Sequence, residues 1–198
     1  MKTHHGIIGI IAIVLVVIVG GVFLVSKKSG GLKENTDEVR PRQMPLGTLE
    51  RQKVETNDTL AQLASATLTE TYRNTMYDFS LKYPKGFLTN SFRQGDADFV
   101  TISDNATGLG VQISITSFDE PTTNITAERV KQDIPDIVIN DPQDVLLGSL
   151  GRGIAFVDGS GSEAKRQVWF VARGHLFQLT TPIAFDATLK KMLTTWAF

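Results

Sequence analysis

The residues in this chain whose types could do chemistry fall into four small groups. Asp133, Asp136, Asp141 and Asp144 lie within twelve residues, and Asp96 and Asp98 form a second acidic pair. Hard divalent cations take oxygen ligands, so either group is a conceivable cation site. Neither follows the spaced Asp/Asn loop with its glycine and distal Glu, and solvated loop acids are the expectation. His175 is the sole histidine outside the N-terminal tail and sits beside Arg173 and Gly174 in a turn-like stretch. Ser160 or Ser162, His175 and a loop aspartate supply the residue types of a nucleophilic hydrolase. The chain nevertheless lacks a Gly-x-Ser-x-Gly elbow to present the serine, and His175 has no neighbouring Cys or His to make a metal pair. Gly148, Gly151 and Gly153 suggest a phosphate loop only superficially, because their spacing fits neither common glycine motif. They are expected to serve turns or bulges. Asn57, Asn105 and Asn124 head Asn-x-Thr triplets, which carry meaning only in a eukaryotic secretory setting. The expectation is therefore no catalytic residue, no cofactor and no resident metal.

The elements that would position these groups are mostly strands. Residues Tyr77 to Tyr83 alternate apolar and polar at period two before Pro84 and Gly86 stop them. Phe99 to Ser103 and Val111 to Phe118 flank a turn-rich Asp104 to Gly108 and read as a hairpin. Gly153 to Val157, Gln167 to Ala172 and Leu176 to Thr181 follow as a meander joined by a Gly/Ser loop and by Arg173-Gly174-His175. Two helices interrupt the strands: Thr126 to about Ile134, ended by Pro135, and Asp186 to Thr194, with Asp186 as cap and Leu189, Met192, Leu193 and Trp196 as the buried stripe. Phe79, Tyr83, Trp169 and Phe177 are expected in the core. This pattern predicts an α+β sandwich built on an antiparallel sheet.

Composition divides the 198 residues into unlike parts. Gly6 to Val25 contains no charged, Asn, Gln or Pro side chain. As a helix at about 1.5 Å per residue it would reach about 30 Å, the thickness of a bilayer's hydrocarbon. Lys2 before it and Lys27 and Lys28 after it suit the two interfaces. The run is long for a cleaved signal peptide and lacks Ala-x-Ala. Gly6 before an apolar stretch also suggests a pilin-type leader, but Ile11 stands where that pattern places Glu. The expected organisation is a tail over 1–5, a transmembrane helix over 6–25, a flexible linker over 26–69 and a folded domain over 70–198.

The linker expectation rests on 7 basic and 6 acidic side chains and no aromatic residue between 26 and 69. Within it, 59–68 has helical spacing and would be a frayed lead-in. The domain holds 10 of the 11 Phe, all 3 Tyr and both Trp, and its 12 basic and 15 acidic residues give a net charge of -3. That balance disfavours nucleic acid as a partner. The absence of cysteine removes disulfide scaffolds, zinc ribbons, thiol catalysis and Cys-linked lipid anchors. Basic residues flanking the apolar run slightly favour its C-terminal side, which by itself would place the domain inside. Long domains translocate despite such flanks, and an outside placement is the expectation.

Three stretches carry a family resemblance. Tyr77-Asp78-Phe79-Ser80-Leu81-Lys82-Tyr83-Pro84-Lys85-Gly86-Phe87 resembles the opening motif of PsbP-like domains, many of them membrane-anchored bacterial proteins. The strand pair within Gly153 to Ala172 and the strand Leu176 to Thr180 resemble the family's later meander, and Leu193 to Phe198 is similar to its closing motif. The resemblance implies an α/β/α sandwich with a central antiparallel sheet and a non-enzymatic binding or accessory role. It implies no site residue, because the matched motifs are packing patterns. The expectation is a single-pass, membrane-anchored, extracytoplasmic, non-catalytic domain that binds or helps assemble an envelope component, with the membrane and an envelope protein as its partners. A hydrolase using His175 and the loop serines, or a minor pilin-like subunit, are the alternatives.

Overall fold

The structure, a computed structural model, describes residues 58–121, 124–147 and 152–198, the side chain of Ser162 apart. The tail, the apolar run 6–25 and the linker through residue 57 lie outside them. No helix among the described residues is long and apolar enough to cross a membrane.

The domain is α+β, dominated by antiparallel sheet. A helix with described residues 58–65 (α1) leads into strands β1 (Leu68–Asn74), β2 (Phe79–Pro84), β3 (Phe87–Gln94), β4 (Ala97–Asp104) and β5 (Gly110–Ser117). Helix α2 (Ala127–Asp133) follows, then β6 (Asn140–Leu146), β7 (Arg152–Asp158), β8 (Lys165–Ala172), β9 (His175–Pro182) and helix α3 (Asp186–Thr194). β1 and β2 pair with each other, while the other seven strands form one sheet in the order β3-β4-β5-β9-β8-β7-β6. Two meanders therefore meet at the β5–β9 pairing, which sets Ile113 opposite Leu179 and Ile115 opposite Phe177.

Turn chemistry accounts for the meanders. Gly95 has φ +60° at the first position of the two-residue β3–β4 loop, and Arg173 and Gly174 both have positive φ in the β8–β9 loop. These are the hairpin turns whose twist matches that of the flanking strands. Between β4 and β5 the Asp104 carboxylate accepts from the Thr107 amide (2.9 Å) and hydroxyl (2.7 Å). The hydrogen bond from the hydroxyl is the largest cause holding the carboxyl below its usual range.

Alternation along the strands then sorts the side chains. One sheet face carries Val100, Ile102, Ile113, Ile115, Val168, Phe170, Phe177 and Leu179, covered by Phe79 and Leu81 of β2, by Leu189 and Met192 of α3, and by Trp196. The other carries Ile154, Phe156, Trp169 and Val171, packed with Ile125 and with Val130 of α2. The ring of Trp196 stacks on Phe79 with centroids 4.6 Å apart and meets Phe170 and Phe177 edge-on at 5.4 and 5.8 Å. Backbone bonds exchanged between Ser80 and Ala197 (2.8 and 2.9 Å), and the Lys82 amide donating to the Thr195 hydroxyl (2.8 Å), fasten the chain after α3 to β2.

Several expectations change. Phe185, not Asp186, is the N-cap of α3. The Asp186 carboxylate instead accepts from Arg166 Nε (3.1 Å) and Nη2 (3.3 Å) and pairs with Lys190 (3.1 Å), because the buried Arg166 needs a counter-charge more than the helix needs a cap. Thr126 does cap α2, its hydroxyl accepting from the Arg129 amide. Packing begins ahead of residue 70: Leu63 and Leu68 lie against the core, and Thr188 and Lys191 of α3 donate to the carbonyls of Leu63 and Ala64. The short helix is thus docked on α3. Gly153 serves close strand approach, since an added Cβ would stand 2.5 Å from the Trp169 carbonyl oxygen.

Replacing Trp196 with Ala removes a buried ring that packs on both Phe79 of β2 and Phe170 and Phe177 of the sheet. It should cost about 3–5 kcal/mol, read as a lowered midpoint in urea denaturation followed by circular dichroism.

Candidate functional site

A cleft of about 370 Å³ opens between the β1–β2 hairpin and the β3–β4 hairpin, on the core-covered side of the sheet. Its polar lining includes Tyr72, Asn74, Tyr77, Ser91, Arg93 and Asp98, with Arg73 and Thr75 beside them. None of the acid, histidine or serine groupings considered at the outset assembles it, although Asp98 is one of its members.

The cleft is built from a local turn outward. The Asn74 side-chain oxygen accepts from the amides of Met76 (3.0 Å) and Tyr77 (3.1 Å), an Asx-type turn that reverses the chain and fixes where Tyr77 leaves it. The Asn74 amide nitrogen donates to the Tyr72 hydroxyl at 3.2 Å, and that hydroxyl lies 3.2 Å from the Ser91 hydroxyl on β3. At the inner end the Tyr77 hydroxyl donates to the Asp98 carboxylate on β4. Arg93 lies 3.8 Å from the same carboxylate with its own side chain largely exposed. The His175 ring meets Tyr77 edge-on at 4.9 Å and donates Nδ1–H to the Arg173 carbonyl at 2.9 Å.

Burial, reinforced by the carboxylate it donates to, pushes the Tyr77 hydroxyl up to about 12. Tyr77 therefore stays a donor at neutral pH and is unsuited to be a base. It buttresses Asp98, while Arg93 and whichever of the paired Tyr72 and Ser91 hydroxyls does not donate to the other keep a donor for a ligand. The arrangement suits recognition of an acceptor-rich ligand by hydrogen bonding.

The other expected residues go elsewhere. His175 begins β9 while Ser160 and Ser162 lie in the loop before β8, so the eight-residue strand separates them by roughly 25 Å. The hydrolase constellation is not brought together. Asp133 accepts from Arg129 Nε at 2.8 Å, and Glu120 takes the two terminal nitrogens of the same guanidinium. That clamp pins α2 to the chain leaving β5, raising the Arg129 pKa and holding the Glu120 carboxyl below its usual range. Asp136, Asp141 and Asp144 are exposed, and the Gln143 amide donates to Asp141. Among the described residues no group of three or more His, Cys, Asp or Glu is placed to hold a metal. Residues 148–151 and Asn57 lie outside the described part. The threonines of the other two triplets, Thr107 and Thr126, serve a turn and a helix cap.

The cleft was hidden because it joins side chains distant in sequence, and only Asn74-x-x-Tyr77 gave a local turn signal. A Tyr77→Phe variant should lose about 1.5–3 kcal/mol, the scale of one hydrogen bond to a charged group. In the unaltered chain stability should hold up to pH about 10 and fall as pH rises toward about 12. The unfolded phenol ionises first, so the folded state is disfavoured across that window. Urea denaturation with pH should show this loss, and Tyr77→Phe should flatten it.

No protein-family model matches this chain, and no curated protein matches its sequence. Among solved structures the chain is similar to the solution structure of cyanobacterial PsbP (CyanoP) from Synechocystis sp. PCC 6803, at 12% identity and a TM-score of 0.44. The match covers 65% of this chain and 91% of that one.

Proposed function

We propose that this protein is a single-pass, membrane-anchored, extracytoplasmic binding domain that holds or helps assemble an envelope protein, with recognition rather than bond-making as its work. The observation that carries the reading is the uninterrupted apolar run Gly6 to Val25, bounded by Lys2, Lys27 and Lys28, ahead of a charged, aromatic-free stretch and the folded domain. An apolar segment of that length is costly to leave in water and fits a bilayer. In this reading the run is a transmembrane helix, the stretch up to residue 57 is a flexible linker, and the domain is an α/β/α sandwich. Core packing supplied by α3 on one sheet face and by α2 on the other supports the last point.

The partner docks in the cleft beside Tyr72, Ser91 and Arg93. Exposed Arg93, with Arg73 also lining the cleft, gives it a cationic character on a domain that is acidic as a whole, favouring an acceptor-rich or acidic segment of the partner.

Placement and docking are tested separately. The chain lacks cysteine, so Asn105→Cys puts a single thiol in the exposed β4–β5 loop. A membrane-impermeant maleimide should label it in intact cells whose outer barrier is permeable, and labelling only after lysis overturns the placement. In-cell crosslinking should capture an envelope protein whose yield drops at least tenfold with Arg93→Glu. An undiminished yield removes the cleft as the docking site. Mass spectrometry of the mature N-terminus should find Gly6 and Ile7 still joined, whereas a chain starting at Ile7 supports the pilin-like alternative.

A further inference from the structure

The two edges of the seven-stranded sheet are treated differently. Edge strands present unpaired backbone groups, and soluble domains blunt them with proline, charge, bulges or irregular register. β6 uses all of these: it contains Pro142, Asp141 at φ +48° and Asp144, and its register with β7 shifts between Asn140 and Gln143. β3 uses almost none. Its sequence FLTNSFRQ has no proline or lysine and one charge, and its pairing with β4 is regular over the whole strand. Among the described residues β3 pairs only with β4. It also carries Leu88 at 59% and Phe92 at 37% exposure, on the sheet face that Phe99 shares.

We propose that β3 is a dimerisation edge, pairing antiparallel with β3 of a second copy of this chain about a two-fold axis at Asn90. The strand is self-complementary in that register. A two-fold perpendicular to the sheet keeps faces matched, so only residues of like parity can stand opposite each other. Centring it on Asn90 sets Leu88 against Phe92 of the second copy, and Phe92 against Leu88 of the second copy. The two exposed apolar side chains of β3 then cover each other, next to the Phe92–Phe99 stack at 5.1 Å. On the opposite face Thr89 meets Ser91 of the second copy. The charges also agree: Arg93 is kept away from its own symmetry mate, and exposed Asp96 in the β3–β4 turn comes beside exposed Lys85 of the second copy. An isologous contact of this kind closes on itself and leaves no further edge of the same type. The pairing does not need the membrane reading, and it shares β3 with the cleft, which Ser91, Phe92 and Arg93 also line.

The cysteine-free chain gives a direct test. Opposed residues of an antiparallel pair lie about 4.5–5.5 Å apart at Cα, within disulfide reach. Full-length Asn90→Cys, purified in detergent and mildly oxidised, should form a disulfide-linked dimer at least tenfold faster than Asp141→Cys on β6. Adding Phe92→Lys to Asn90→Cys should slow the reaction at least tenfold, with an unchanged circular dichroism spectrum. Equal rates for Asn90→Cys and Asp141→Cys mean random collision and overturn the proposal. A maximum at Ser91→Cys moves the axis and overturns the Leu88–Phe92 pairing. A crosslink from Asn90→Cys to a different protein in cells, with a monomeric purified chain, overturns the second copy as the occupant.

Discussion

The stacking of Trp196 on Phe79, with Phe170 and Phe177 edge-on beneath, is the contact on which the rest of the domain depends. A two-stranded hairpin is marginal alone in water, so β1 and β2 exist as a layer because this aromatic cluster gives β2 an apolar floor. The chain after α3 completes the clamp by bonding its backbone to Ser80 and its Thr195 hydroxyl to Lys82. With β2 fixed, β1 is held over the sheet, and the space it leaves against β3 and β4 becomes the cleft.

That hierarchy explains how much was legible. Strands with alternating apolar residues, such as β5 with Val111, Ile113 and Ile115, could be read directly, because one face is buried and the period is two. β1, β3 and β6 could not. Nearly all of β3 is exposed, with Leu88 and Phe92 separated by Asn90, and β6 is written mainly in Asn, Asp, Pro and Gln, so neither buries an alternating apolar face. Asp186 misled for a related reason: it has the residue type of a cap, and only the fold reveals the buried Arg166 across from it. The boundary at residue 70 followed the first aromatic residues, whereas α1 docks through leucine and backbone carbonyls.

The cleft was less legible still. Its residues come from three strands and a turn, and the coupling of Tyr77 to Asp98 spans a sheet layer. Composition pointed to acids, His175 and loop serines because those types are scarce or clustered. The fold spends them on other work: Asp133 and Glu120 clamp Arg129, His175 backs Tyr77, and the serines sit at the far end of β8.

The β5–β9 seam also orders events in time. Every other pairing in the large sheet joins neighbours in sequence, and such local hairpins form on the scale of microseconds. The seam alone joins the two meanders, and it has to wait for β9, after the chain has passed through α2 and three further strands. Trp196 comes later still. A growing chain therefore carries a half-sheet whose outer edge, on β5, stays open until β9 and Trp196 have been made, and it is most open to mispairing just before they are.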